Sequence, residues 1–165
     1  HLYYFTKQTL RSALELNGFE VIECSEVWHD YIISAVVRKR RKTDLSHFVQ
    51  QRTRLKREID AYIGRFPDRK VAIWGAGHQA LAVISLTDLA GKIKYVVDSA
   101  VFKQGKYTPA TNIPIVSPDV LRSDPVDAII VMAASYSDEV ARIIRQKFDE
   151  RISVSILRDF GLEVV

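Results

Sequence analysis

The chain predicts an α/β fold whose main part, residues 70–165, is a Rossmann-like parallel sheet. Three features carry this expectation. The stretch "VAIWGAGHQALAVI" (71–84) reads as a buried strand, a glycine turn and a helix. Strand-like and helix-like stretches alternate from there to the end of the sequence. Within them, "VDAIIVMAA" is apolar throughout, as a strand covered on both faces must be.

In order, Val71–Trp74 is the first strand and His78–Leu86 opens a helix. "KIKYVVD" is a second strand ending at Asp98, and "IPIVSPDVLRSDP" gives a short strand and a helix begun after Ser117-Pro118. "VDAIIVMAA" is the central strand, "SDEVARIIRQKF" the next helix and "ISVSIL" the last strand. Right-handed crossovers make the strands at Val71–Trp74, Tyr95–Val97 and Ile129–Met132 parallel neighbours.

Two segments precede this unit. In residues 1–42, "TKQTLRSALELNGF" sets Leu10, Leu14 and Phe19 near helical spacing, with Gly18 at the helix end. "EVIECSEV" and "YIISAVVRK" then form a hairpin across Trp28-His29-Asp30. One helix and a hairpin make no core by themselves, so an apolar face is expected to stay accessible at Leu10, Leu14 or Val36. Residues 43–69 hold one amphipathic helix, roughly Asp44 to Arg65, with Leu45, Phe48, Val49, Leu55, Ile59, Tyr62 and Ile63 on one stripe. Pro67 and Asp68 end it. Such a stripe needs a neighbour, so the helix is read as a docked linker.

At 165 residues and 47% hydrophobic, the chain can bury a core. No apolar run reaches membrane length, and the first residues lack a signal-peptide layout. A single cysteine, Cys24, excludes an internal disulfide and fits a reducing cytoplasm. The net charge of +4 gathers in "RKRRK" and "RTRLKRE". Without interleaved stacking aromatics or a reading helix these runs indicate a solvated face, not a nucleic-acid partner. No metal site is expected.

The turn has the pattern G-x-G-x-x-A, with Gly75, Gly77 and Ala80. Such glycines permit a sharp bend and close approach of a ligand, and the helix start offers N–H groups to an anion. Asp98 stands at about the spacing of a ribose-binding carboxylate. Two readings stay open here, a cofactor site or mere tight packing of strand on helix. His78 is read likewise, as a phosphate donor or a solvated side chain.

Taken together, "VAIWGAGHQA", "KIKYVVDSAVFKQGKYTPATNIPIVSPDVL" and "AIIVMAASYSDEV" resemble the C-terminal domain of sugar C-methyltransferases. The family pattern has a glycine-alanine turn, an aspartate, a KQGK-like stretch, a P-G-T-x-I-P-I stretch and a W-N-x-x-x-E-I ending. Independently, "HLYYFTKQTLRSALELNGFEVIE" resembles the closing portion of class I methyltransferase domains. The resemblance implies that residues 1–42 are the tail of a methyltransferase fold, whose S-adenosylmethionine-binding glycine loop lies upstream and whose body packs against this chain. It implies a nucleotide-linked sugar as acceptor and S-adenosylmethionine as methyl donor. The family's histidine, implicated in abstracting a proton beside the sugar ketone, matches His1. Imidazole titrates near neutrality and suits that role.

The acceptor residues implied are Gly75, Ala76, Gly77, His78, Gln79, Asp98, Lys103, Tyr107, Ser135, Tyr136 and Glu139, with the glycine turn as an anion site. Several positions depart from the pattern. Gln79 replaces a lysine, Ala134 and Ser135 replace Trp-Asn, and Pro109-Ala110 replaces Pro-Gly. Lys103 and Lys106 suit a diphosphate, or are simply exposed. The competing readings are a non-catalytic nucleotide or nucleotide-sugar binding module and, more weakly, an NAD(P)-dependent oxidoreductase. A homodimer stays open.

Overall fold

The computed structural model describes residues 3–165, which divide into two compact units, one running to Leu45 and one spanning Ser46–Val165. In the first, helix α1 (Lys7–Leu16) starts from a capping box: Thr9 N–H donates to Thr6 Oγ1 at 3.2 Å, and Thr6 N–H donates to Thr9 Oγ1 at 2.8 Å. Strands β1 (Phe19–Val27) and β2 (Ile32–Lys39) pair antiparallel, with an irregularity between Val21 and Glu23. The link Trp28-His29-Asp30 has positive φ at all three residues.

No described residue of this unit is fully buried. Leu10 and Leu14 are half-buried, so the accessible apolar surface is not theirs. It falls on Val36, 54% exposed, with Ile22, Val27 and Ile32. Strand alternation explains this, because Ile33, Ala35 and Val37 share the more covered face of β2 while Ile32 and Val36 take the other.

The second unit begins with α2 (Ser46–Ile63), shorter than the expected helix by two residues at each end. Its C-terminal half enters the core through Ile59 and Tyr62, and the Tyr62 hydroxyl meets Ser153 Oγ at 3.0 Å. There follow β3 (Val71–Trp74), α3 (His78–Leu86), β4 (Val96–Val97), β5 (Ile115–Val116), α4 (Val120–Ser123), β6 (Ala128–Val131), α5 (Ser137–Lys147), β7 (Ser153–Arg158) and β8 (Gly161–Val164).

The six strands lie in the order β5-β4-β3-β6-β7-β8, parallel except for β8. This is a mostly parallel, Rossmann-like sheet, with β4, β3 and β6 side by side as expected. "ISVSIL" is not the last strand: Asp159-Phe160 turns the chain back, and β8, opened by Gly161 at positive φ, closes the edge antiparallel to β7. A four-residue strand after a tight turn leaves too short a period-2 pattern to be read from sequence.

Every residue of β3 and β6 is buried. Val71, Ile73 and Ile130 face Ile59, Tyr62, Ala80 and Ile84 of α2 and α3. Ala72, Trp74, Ile129 and Val131 face Leu121, Ala141 and Ile144 of α4 and α5. Helices therefore cover both faces, which is why these strands carry no polar alternation. Among the described residues no helix is long and apolar enough to cross a membrane.

From β3 the chain moves to β4 on one side and later returns to β6 on the other. The crevice at such a reversal opens beyond the carboxyl ends of the strands, where open α/β sheets bind ligands.

Candidate functional site

The turn after β3 sits at that crevice, and its two glycines do different things. Gly75 has φ +120°, and a Cβ there would lie 2.4 Å from the carbonyl oxygen of Met132. Its glycine is demanded by the backbone at the end of β6. Gly77 has φ −91° and ψ 175°, and a Cβ there would meet nothing within 4 Å. It leaves open space in front of the first turn of α3, which no side chain caps. His78 and Gln79 are exposed on that turn, while Ala80 is fully buried and lets the helix pack closely on the sheet.

Asp98, at the end of β4, is 9% exposed and mostly engaged by the protein. Its Oδ2 accepts the Ala76 N–H at 2.8 Å and the Lys103 ammonium at 2.9 Å; its Oδ1 accepts the Ala100 N–H at 2.8 Å. The Gln104 amide donates to the Asp98 carbonyl at 3.0 Å. Burial pushes this carboxyl up, but the donors at Ala100, Lys103 and Ala76 outweigh it and hold the group below its ordinary value. Three of about four lone-pair positions are used, so no bidentate grip on a ribose diol remains. Ala76 likewise spends its N–H on Asp98 and has none to give an anion.

On the other side of β3, the Ala133 N–H donates to Ser137 Oγ at 3.1 Å, and Ala134 is held at φ 50°. Ser135 and Tyr136 follow, exposed beside the glycine turn. Tyr136 is 67% exposed, and Phe102 on the β4 side is 72% exposed. Glu139 is exposed in the first turn of α5. One position earlier, Asp138 receives a two-pronged contact from Arg158 at 2.6 and 3.0 Å, which fixes the start of α5 to the end of β7.

The structure therefore gathers Gly75–Gln79, Asp98, Lys103 and Ser135–Tyr136 at one edge of the sheet. Tyr107 lies apart, bridged to Pro114 beyond β5. His1 lies outside the described residues. Sequence reasoning missed Ala100, Gln104, Phe102 and the Arg158–Asp138 pair. The signal for the first two was local: the tight 3₁₀ turn Val101–Lys103 brings residues 100–104 back onto Asp98. For Arg158 no local signal existed. Among the described residues no group of three or more His, Cys, Asp or Glu is placed to hold a metal ion.

No curated protein matches the chain significantly. A solved structure, UDP-D-quinovosamine 4-dehydrogenase from Vibrio fischeri, is similar at 13% identity and a TM-score of 0.45, over 59% of this chain and 93% of that one. The model of the C-methyltransferase C-terminal domain matches residues 37–154, taking in α2, the whole glycine-turn edge and the sheet as far as the start of β7. By that match the chain belongs to the C-methyltransferase C-terminal domain family.

Proposed function

We propose that this chain is the acceptor-side portion of an S-adenosylmethionine-dependent C-methyltransferase, with a nucleotide-linked sugar as acceptor. The unit Ser46–Val165 holds the acceptor at the glycine-turn edge and presents it to a methyl donor carried by a separate class I domain. In this reading residues 1–42 belong to that domain, and the accessible face at Ile22, Val27, Ile32 and Val36 is where the rest of it packs. His1 is assigned the proton abstraction beside the sugar ketone.

The observation that carries the reading is the engagement of both Asp98 carboxylate oxygens by Ala76, Ala100 and Lys103. A donor or dinucleotide site on this sheet needs a carboxylate free to grip ribose hydroxyls, and here that carboxylate works as a strut. The residues of this unit therefore do not fit S-adenosylmethionine or NAD. What remains open at the crevice is the space before Gly77 and the polar groups of His78, Gln79, Ser135 and Tyr136, which suit an uncharged hydroxylated ring.

Calorimetric titration of the 165-residue chain tests this. S-adenosylmethionine and NAD are expected to show no binding tighter than about 1 mM, and a nucleotide sugar weak but measurable binding. Micromolar binding of NAD, lost in Gly77→Val, would restore the oxidoreductase reading. Micromolar binding of S-adenosylmethionine would place the donor site in this chain and overturn the division of labour.

A further inference from the structure

The two lysines after Asp98 have different work. Lys103 is held by Asp98 Oδ2 at 2.9 Å, and its charge is largely cancelled there. The ammonium of Lys106 has no acidic or hydrogen-bonding partner among the described residues, although its backbone is firmly placed. The Gly105 N–H donates to the Ile115 carbonyl at 2.9 Å, and the Ile115 N–H donates to the Lys106 carbonyl at 2.7 Å. With the bridge from Tyr107 to Pro114, these bonds lay residues 105–107 along the outer edge of β5. Gly105, at φ +74°, turns the chain onto that edge.

A hollow of about 340 Å³ results. Ile115, Val116 and Val120 give it apolar walls, and Lys106, Tyr107 and Ser117 supply an ammonium, a phenol and a hydroxyl. The nearest acidic residue in sequence, Asp119, uses its N–H on Ser117 Oγ at 3.3 Å, and it is not among the residues lining the hollow.

We propose that this hollow takes the phosphate-bearing end of the acceptor, with Lys106 pairing the diphosphate, while the glycine turn takes the sugar. The inference rests on the acceptor reading above and moves the anion away from the turn. An anion at the turn would meet a carboxylate whose compensating cation is already engaged, and one turn N–H already spent. At the hollow it meets an exposed cation that no acidic residue among those described compensates, beside the apolar side chains of Ile115, Val116 and Val120. Lys106, one row outside β5, lies three strand spacings from β3, about 14 Å, which a sugar diphosphate and the lysine side chain span together.

Amide chemical shifts of the full chain, titrated with UDP-glucose and separately with inorganic pyrophosphate, test it. Both probes should shift Lys106, Tyr107 and Ser117, and UDP-glucose should also shift residues 75–79. Lys106→Gln should weaken pyrophosphate about fivefold to tenfold, against less than about twofold for the remote Lys147→Gln. Unchanged pyrophosphate affinity in Lys106→Gln, or UDP-glucose shifts confined to the glycine turn, would overturn the hollow and leave the acceptor reading standing. No shift with either probe at millimolar concentration would overturn both.

Discussion

The Ala76 N–H and the Asp98 carboxylate meet at 2.8 Å and tie the glycine turn of β3 to the end of β4. This bond makes the turn a rigid part of the sheet edge. It sits between the strand pairing of Trp74 with Val97 and the 3₁₀ turn that brings Lys103 back.

Asp98→Asn should therefore destabilise the second unit by about 1.5–3 kcal/mol, the range for hydrogen bonds to a charged group. The pH dependence has a definite sign. The folded carboxyl lies below its ordinary value, so its contribution is complete above the unfolded value of about 3.9 and is lost as pH falls through the folded one. Urea unfolding from pH 7 to pH 3 should show a smaller acid loss in the variant than in the parent. Equal acid slopes would remove Asp98 as the strut.

The two glycines of the turn should separate cleanly. Gly75→Ala places a Cβ 2.4 Å from a backbone oxygen at φ +120° and should cost roughly 3 kcal/mol. Gly77→Ala meets nothing and keeps an ordinary φ, so stability should change by no more than about 0.5 kcal/mol. Thermal unfolding reads both. If Gly77 borders the acceptor, bulk there reduces nucleotide-sugar binding while leaving the fold intact.

Ser155 is fully buried on β7, and its hydroxyl has no hydrogen-bond partner among the described residues. Removing an unsatisfied hydroxyl recovers its desolvation cost, so Ser155→Ala should stabilise by about 1 kcal/mol in denaturant unfolding. A loss of stability would mean that the hydroxyl has a partner, such as a buried water.

Ala110 stands at φ 62° in the turn where the family pattern has Pro-Gly. Ala110→Gly relieves about 1–2 kcal/mol of left-handed strain and gives back part of it as unfolded-state entropy. A net gain of about 0.5 kcal/mol is expected, read as a higher melting temperature. A lower one would show that Ala110 makes a contact worth more than the strain.

The sequence by itself determined the parallel core, because β3 and β6 are apolar at every position and only a sheet covered on both faces accommodates that. It also determined the hairpin, the helix after the glycine turn, and the family, whose signature is spread in order from Val71 to Val140. Those are properties of local pattern and spacing. The tertiary structure alone decided what the site residues do. Asp98 and Lys103 look alike from sequence as ligand groups, yet their positions across the turn close them on each other and on Ala76. Gly75 and Gly77 are equivalent in the motif and differ only because the backbone of β6 passes one and not the other. Lys106, a single residue past a tight turn, is left without a partner by the way β5 captures its backbone. Whether a charged group is spent or free depends on which strands become neighbours, and that is a non-local fact.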